Sequence, residues 1–297
     1  MDVQFIKMQG AGNDYVYLDL VKHTYSFDFS RLARCISSRH YGVGGDGLVL
    51  IMPCSRADFK MRMFNADGSE AEMCGNAIRC VGKYLFDKGY LAKEQFSIET
   101  LAGVKDLWIQ DKNPQGLASR VRVDMGEPVL NGKHIPVNID ASPVKGVDIM
   151  GYTGTAVSMG NPHLVIFLDR IEQRHVLEHG PRLETHPLFP NKTNVEFVRI
   201  NDRQNITMRV WERGAGETMA CGTGACAGVA AGVLNGLVDR QAAVNLPGGT
   251  LTIEWNEQNN RVYLTGPAEE VFKGVYFYHQ SGQAHHLDAS SVNPLFE

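Results

Sequence analysis

The chain has 297 residues, enough for two domains, and its 43% hydrophobic and 21% charged residues are typical of a globular protein in water. Its net charge of −4 gives no reason to expect nucleic acid or an anionic membrane as a partner. No apolar signal-peptide core follows the N-terminus, and the most apolar run, at 225–234, is about half a membrane span, so we expect a cytoplasmic protein with reduced cysteines.

The first half of the chain predicts strands and two helices. Apolar patterning predicts strands over residues 3–8, 14–20, 48–52, 59–65, 96–100, 105–110 and 120–124. Helical spacing predicts one helix over 29–39, with Ser30 as its N-cap, and another from Cys74 to Leu85, closed by Gly89. The glycine loop at 41–47 lacks the Gly-Lys-Ser/Thr of a Walker motif, so it is a weak candidate for phosphate binding.

The second half predicts a similar series of elements. The Pro- and Gly-rich segment 125–138 is a reasonable crossing between domains. Strands are predicted at 155–158, 164–168, 194–200, 206–211, 251–254, 261–264 and 271–278, and irregular structure at 178–188. A second helix is expected to begin at Cys221.

An internal repeat relates the two halves. A shift of 147 residues aligns identical residues in the same order: Met61 with Met208, Arg62 with Arg209, Glu70 with Glu217, Cys74 with Cys221, and Gly89 with Gly236. A shift of one residue more aligns Asn13 with Asn161. The sequence therefore predicts an α/β (α+β) fold of two pseudo-symmetric domains, each a mostly antiparallel, barrel-like set of strands around a central helix.

Two cysteines occupy equivalent places in this repeat, and we expect a pseudo-twofold axis to bring their helix N-termini face to face. Aligned helix amides lower the pKa of a thiol, which is roughly 8.5 when free. The amides at Gly75–Asn76 and Gly222–Thr223 would also bind a carboxylate and hold its α-carbon between the two sulfurs. One thiolate could then remove the α-proton, while the opposite thiol protonates the other face. The pattern thus indicates a racemase or epimerase that needs no cofactor and no metal ion.

Other interpretations exist for each residue alone. A single cysteine of this kind is more often a small buried residue, and only the repeated pair favours catalysis. Cys80 and Cys226 lie among apolar neighbours and are predicted to be core residues. Asn13 by itself is typical of a turn, and Arg213 of a solvated loop.

The segment from Asn65 to Arg79 resembles the signature of the diaminopimelate epimerase family. Further blocks of that family are matched in order at residues 8–14, 160–163, 211–214 and 220–224, and the resemblance extends from residue 4 to about 278. It implies interconversion of LL- and meso-diaminopimelate without pyridoxal phosphate, on the bacterial and plant route to lysine and peptidoglycan. The family folds its last strand back onto the first domain, which implies one domain of residues 1–121 plus 271–297 and another of residues 122–270.

The resemblance also implies roles for individual residues. Cys74 and Cys221 would be the acid/base pair, and His163 and Glu212 the supporting catalytic pair. Arg213 would bind the distal carboxylate bidentately, and Glu212 the substrate amine. The remaining substrate contacts would come from Asn13, Asn65, Asn161 and Asn194, with Gly75, Asn76, Gly222 and Thr223 holding the reacting carboxylate.

The chain departs from the family in two places. Gly47 replaces a Gln of some members, so we expect no side-chain contact there. A tyrosine associated with the family's homodimer corresponds to Phe272, which keeps the ring and loses the hydroxyl. A homodimer is still expected, with Phe272 at its interface. The tail at 279–297 matches nothing in the family and is predicted to be an extension.

Three alternatives compete with this hypothesis. Proline and hydroxyproline epimerases share the fold and the cysteine pair but need no residue for a distal carboxylate, so Glu212 and Arg213 argue against them. The isomerase branch of the fold lacks the cysteine pair. A thiol sensor that oxidises Cys74 and Cys221 to a disulfide would have no epimerase activity in either redox state.

Overall fold

The computed structural model of the chain describes residues 1–278. The predicted extension at 279–297 lies outside the described residues. The strands are β1 (Asp2–Gly10), β2 (Asn13–Asp19), β3 (Gly47–Pro53), β4 (Phe59–Asn65), β5 (Glu70–Ala71), β6 (Gln95–Thr100), β7 (Gly103–Lys112), β8 (Ala118–Gly126), β9 (Lys145–Ile149), β10 (Tyr152–Ser158), β11 (Pro162–Phe167), β12 (Asn194–Asp202), β13 (Asn205–Glu212), β14 (Gly216–Glu217), β15 (Gln241–Leu246), β16 (Gly249–Trp255), β17 (Val262–Pro267) and β18 (Glu269–Phe277).

Four α-helices and a short π-helix accompany the strands in the part of the chain that the structure describes. They are α1 (Phe29–Ile36), α2 (Gly75–Asp87), the π-helix (His175–His179), α3 (Gly180–Glu184) and α4 (Gly222–Leu234). Asp28, not Ser30, caps α1: its carboxylate accepts from the Arg31 amide at 3.1 Å. The hydroxyl of Ser30 instead donates to Gly68 O at 2.6 Å. The prediction of irregular structure at 178–188 was wrong, because the π-helix and α3 occupy most of that segment.

The two halves have the same strand connections. In the first half β1 pairs antiparallel with β2, β2 parallel with β3, β3 antiparallel with β4, and β4 parallel with β6. In the second half the same four relations link β10, β11, β12, β13 and β15. Each series ends in two further antiparallel strands, β7 and β8 or β16 and β17. The predicted fold class is therefore confirmed, including its pseudo-symmetry.

The repeat extends to side chains. Arg62 Nε lies 2.7 Å from Glu70 Oε1, and Arg209 Nε lies 2.7 Å from Glu217 Oε1. The two residues of the second pair follow those of the first by 147 residues, the length of the repeat. The helices α2 and α4 also begin and end 147 residues apart. Both are largely buried, as expected for helices that strands surround on all sides.

Two strand pairs between described residues join the halves. β8 and β17 pair antiparallel across the middle of the molecule. β18 crosses back from the second half and pairs antiparallel with β1. In the described part of the chain, no helix is long and apolar enough to span a membrane.

Candidate active site

Cys74 lies at the N-terminal end of α2, as predicted, in an extended backbone conformation. Its thiol donates to Asn13 Oδ1 at 3.3 Å. The amide of Asn76 donates to the same oxygen at 3.2 Å and to Ala220 O, in the other half, at 3.1 Å. Asn76 therefore links the two cysteine segments.

Cys221 occupies the equivalent end of α4, and it is only 5% exposed. Its sulfur accepts from the Gly224 amide at 3.3 Å and lies 3.5 Å from Thr223 Oγ1. The two helix ends adjoin: a Cβ on Gly222 would lie 3.7 Å from the Cα of Gly75. The structure thus brings the two predicted helix N-termini face to face.

A buried chain of polar groups supports the Cys221 side. His163, at the start of β11, is fully buried, and its Nδ1 lies 2.7 Å from Glu196 Oε1. Its Nε2 lies 2.9 Å from Asn161 Oδ1. The Asn161 amide in turn donates to Thr223 Oγ1 at 3.3 Å. His163 is therefore part of a buried network that reaches the helix end of Cys221.

Three further predicted residues converge on the loop after β13. Asn194 is buried; its side-chain amide donates to Pro162 O at 2.8 Å, and its oxygen accepts from the Arg213 amide at 2.9 Å. The Glu212 carboxylate accepts from Thr218 Oγ1. The guanidinium of Arg213 is exposed and donates to Asn191 O at 3.2 Å, so it is accessible to a ligand.

Asn65 has the equivalent place in the first half, at the end of β4. Its amide donates to Ser69 Oγ at 3.0 Å, within the turn that precedes α2. At Gly47, opposite Asn65 in the strand register, a Cβ would lie 2.1 Å from Phe64 O. No side chain fits at position 47 in this backbone, which agrees with the expectation of no contact there.

Burial dominates the electrostatics of both thiols. Burial raises the pKa of the Cys74 thiol, although the amides of Ala77 and Asn76 and the charge of Arg79 lower it in part. Burial, followed by the carboxylates of Glu212 and Glu196, raises the pKa of Cys221 well above its usual value. Burial also raises the pKa of Glu212. The backbone amides at the helix ends lower both thiol pKa values, as expected of a helix N-terminus, but removal from water outweighs them and the net shift is upward.

The structure adds residues to which the sequence analysis gave no role. Asp46, in the glycine loop, accepts from Asn13 Nδ2 at 2.5 Å. Glu196 lies inside an apolar strand, where a lone acidic residue is itself a signal. Glu184 and Arg79 are also buried beside the site. Within residues 1–278 no group of three or more His, Cys, Asp or Glu side chains is placed to hold a metal ion.

Solved structures of other proteins share the fold of this chain. The chain is similar to a hydroxyproline epimerase from Agrobacterium vitis (TM-score 0.64, 16% identity, 93% of this chain and 92% of that one). It is also similar to a phenazine biosynthesis protein of the PhzF family from Bacillus anthracis (TM-score 0.65, 16% identity, 94% and 100%). At such low identity these similarities establish the shared fold alone.

The family follows from more specific matches. A family model described as diaminopimelate epimerase matches residues 5–131 and 155–271. A diaminopimelate epimerase from Acetivibrio thermocellus is 55% identical over 279 residues, covering 92% of this chain and 98% of the relative. One from Methanococcus maripaludis is 52% identical over 276 residues, covering 92% and 99%. The chain belongs to the diaminopimelate epimerase family.

Proposed function

We propose that this protein is a cofactor-independent epimerase that interconverts LL- and meso-2,6-diaminopimelate, in the biosynthesis of lysine and peptidoglycan precursors. The observation that carries the proposal is the pair of adjoining helix N-termini, each with a cysteine at its end. The names of the relatives, which are more than half identical in sequence, support the substrate.

The proposed reaction is a proton transfer through a planar intermediate. The thiolate of one cysteine, Cys74 or Cys221, takes the α-proton, and the electron pair of the broken C–H bond moves into the carboxylate as an enediolate. The opposite thiol then gives its proton to the other face of the α-carbon. One sulfur gains a proton while the other loses one, so each turnover exchanges the roles of the two cysteines.

The helix ends would hold the reacting carboxylate. The backbone amides at Gly75, Asn76, Gly222 and Thr223 belong to two adjoining helix ends, where the partial positive charge favours an anion. The enediolate carries more negative charge on these oxygens than the substrate does. The same amides therefore stabilise the transition state more than the bound substrate.

The remaining polar residues would select the substrate. Arg213, with an exposed guanidinium, would bind the distal carboxylate, and Glu212 the substrate amine. His163 and Glu212 would assist the cysteines, His163 by ordering the polar chain that reaches Thr223. The other substrate contacts are proposed for Asn13, Asn65, Asn161 and Asn194.

The domain division and the assembly belong to this proposal. One domain would comprise residues 1–121 and 271–297, and the other residues 122–270; the pairing of β18 with β1 supports the return of the chain to the first domain. β8 would then span the boundary and join the domains through β17. A homodimer is proposed with Phe272 at its interface, where 47% of that residue is exposed.

An isotope experiment tests the activity. In deuterated water, with reductant present, LL-diaminopimelate should gain deuterium at an α-carbon and yield the meso form, as measured by NMR and chiral chromatography. Cys74→Ala and Cys221→Ala should each lower epimerisation by more than about a thousandfold, since each removes one of two proton-transfer groups. Full turnover by Cys74→Ala would refute the two-base mechanism.

The same assay separates the alternatives. Exchange with proline or 4-hydroxyproline, and none with diaminopimelate, would identify the rival epimerase. No exchange with any amino acid, before or after reduction, would favour a thiol sensor.

A further inference from the structure

The two halves differ at one buried position beneath the facing helix ends. One repeat length separates Arg79, on α2, from Cys226, on α4. Both side chains are fully buried. The Cys74 side of the site therefore has a buried cation where the Cys221 side has a neutral thiol.

Among residues 1–278, Arg79 has no acidic partner. Its Nη1 donates to Gly75 O at 3.0 Å and its Nε to Pro267 O at 3.2 Å. Its Nη2 has no hydrogen-bond partner among the described residues, and Arg79 takes part in no ion pair within them. A buried charge without a counter-ion is strongly unfavourable, so an anion that forms close by would be stabilised by it.

Arg79 interacts electrostatically with two thiols of its own helix, Cys80 and Cys74, and of these Cys74 is the one at the site. Arg79 contacts the carbonyl of Gly75, the residue that follows Cys74, and it lies one turn into the same helix. A guanidinium there adds a full positive charge to the partial charge of the helix end. Cys221 has the opposite surroundings, because it faces the carboxylates of Glu212 and Glu196.

Other groups that face the two sulfurs do not cancel this difference. The Asn13 oxygen accepts from the Cys74 thiol and so opposes its ionisation, but it carries no net charge. Glu212 acts on both sulfurs and therefore raises both thiol pKa values. The groups facing Cys74 are Arg79, Glu212, Tyr15, Tyr17 and Cys80, and those facing Cys221 are Glu212 and Glu196, the latter bonded to His163.

We propose that Arg79 is a positioning residue that makes Cys74 the first of the two thiols to lose its proton in the substrate-free protein, while Cys221 keeps its proton to higher pH. The inference rests on the proposed function, since it assigns the resting roles of the same two cysteines. The direction of the pKa shifts agrees with it: the pKa of Cys74 is raised, and that of Cys221 is raised well above its usual value. The backbone of the site is thus pseudo-symmetric, whereas the charges around its two cysteines differ.

Alkylation by iodoacetamide as a function of pH tests this without any substrate. The modified Cys74 and Cys221 peptides are quantified by mass spectrometry, and the pH midpoint of each rate is compared. The midpoint is the appropriate readout, because Cys74 is the more exposed of the two and would react faster for that reason alone. In the unaltered protein the midpoint of Cys74 should lie below that of Cys221.

Arg79→Met should raise the midpoint of Cys74 by at least about one pH unit, which slows its alkylation near neutral pH about tenfold. The midpoint of Cys221 should change little. Arg79→Lys retains the charge and should keep the midpoint of Cys74 below that of Cys221. Lys83→Met is the matched control, since Lys83 is a buried cation farther along α2 that pairs with Asp87, and its loss should leave both midpoints in place.

A midpoint of Cys221 at or below that of Cys74 in the unaltered protein would overturn the proposal, as would an unchanged Cys74 midpoint in Arg79→Met. If Arg79→Met fails to fold by circular dichroism, the unaltered protein and Arg79→Lys still decide the order of the two midpoints. Deuterium exchange in the unaltered protein tests the epimerase activity separately. Failure of one proposal is thereby distinguished from failure of the other.

Discussion

At the scale of the residue, Asp46 determines which way the Asn13 amide points. A carboxylate can only accept hydrogen bonds, so the Asn13 NH₂ group must face Asp46 Oδ2, at 2.5 Å. The Asn13 oxygen is left to face the Cys74 sulfur and the Asn76 amide. The glycine loop that contains Asp46 therefore acts on the site indirectly, because Asp46 orients Asn13 and Asn13 contacts Cys74.

Asp46→Asn should lower kcat/KM for diaminopimelate by about 10- to 100-fold, because the neutral amide no longer forces one orientation on Asn13 and a charge-assisted hydrogen bond is lost. Steady-state kinetics measure the effect. Arg39→Gln is the control: it removes the partner of Asp46 Oδ1, at 3.0 Å, together with the ion pair between Arg39 and Asp14, and leaves the Asn13 contact. Arg39 is 58% exposed, so this change should cost less than about threefold. Equal losses in the two variants would show that the ion pair matters and not the orientation of Asn13.

The sequence predicted some of these residues and not others, for a physical reason. Cys74 and Cys221 could be found because their chemistry repeats at a fixed spacing and a helix start is a local feature. Asp46 and Glu196 act through contacts 33 residues away in the chain, with Asn13 and His163. Such pairings depend on the parallel register of neighbouring strands, which no local pattern specifies.

At the scale of the element, the crossover between two parallel strands has the same task in each half. In the first half α1 connects β2 to β3, and its Ser30 holds the carbonyl of Gly68, in the turn after Asn65. In the second half the π-helix and α3 connect β11 to β12. The buried Glu184 of α3 accepts from Trp211 Nε1 at 2.8 Å and from the Gly214 amide at 3.1 Å. Each crossover therefore fixes a loop with proposed substrate contacts.

Glu184→Gln should raise the KM for diaminopimelate about tenfold with a smaller change in kcat. A carboxamide has one accepting oxygen, so Trp211 or Gly214 loses its partner and the loop that presents Arg213 loosens. The control is Glu217→Gln, which removes a partly exposed ion pair with Arg209 between β14 and β13, the strands on either side of that loop, and should change KM less than about threefold. An unchanged KM in Glu184→Gln would mean that α3 does not position Arg213.

Elements with a regular apolar pattern were predicted well, whereas the crossover of the second half, made of the π-helix and α3, was not predicted. The strand at 59–65 and the start of α2 agree with the structure to within a residue, because their patterns are local. The segment from His175 to Glu184 has Gly180 and Pro181 in its middle, the two residue types with the lowest helix propensity, so no continuous helical pattern runs through it. Its helices are stabilised by packing against β12 and β13, so only the tertiary structure reveals them.

At the scale of the whole molecule, the duplication explains why the site is both symmetric and polarised. Matching strand connections place two equivalent helix ends together, which a reaction on two faces of one carbon requires. Residues that do not repeat then distinguish the faces: Arg79 under one end, and Glu196 with His163 beside the other. The framework was readable from the repeat, whereas the polarity depends on side chains whose partners come from elsewhere in the fold.

The surface of β18 bears on the proposed homodimer. Within residues 1–278, β18 pairs with β1 alone, and its other edge has no strand partner. Four of its apolar side chains, Val271, Phe272, Val275 and Phe277, are 47–67% exposed. An exposed edge strand with clustered apolar side chains is a typical surface for association with a second copy.

Val275→Glu should therefore convert the protein from dimer to monomer, because each dimer would bury two carboxylates in an apolar contact. Sedimentation velocity at several concentrations measures the change. Val104→Glu is a closely matched control: Val104 lies on β7 and is 50% exposed, against 49% for Val275, so the same charge is introduced on a strand remote in sequence from β18. Val104→Glu should sediment like the unaltered protein. A monomeric unaltered protein, or equal dissociation in both variants, would contradict assembly through β18.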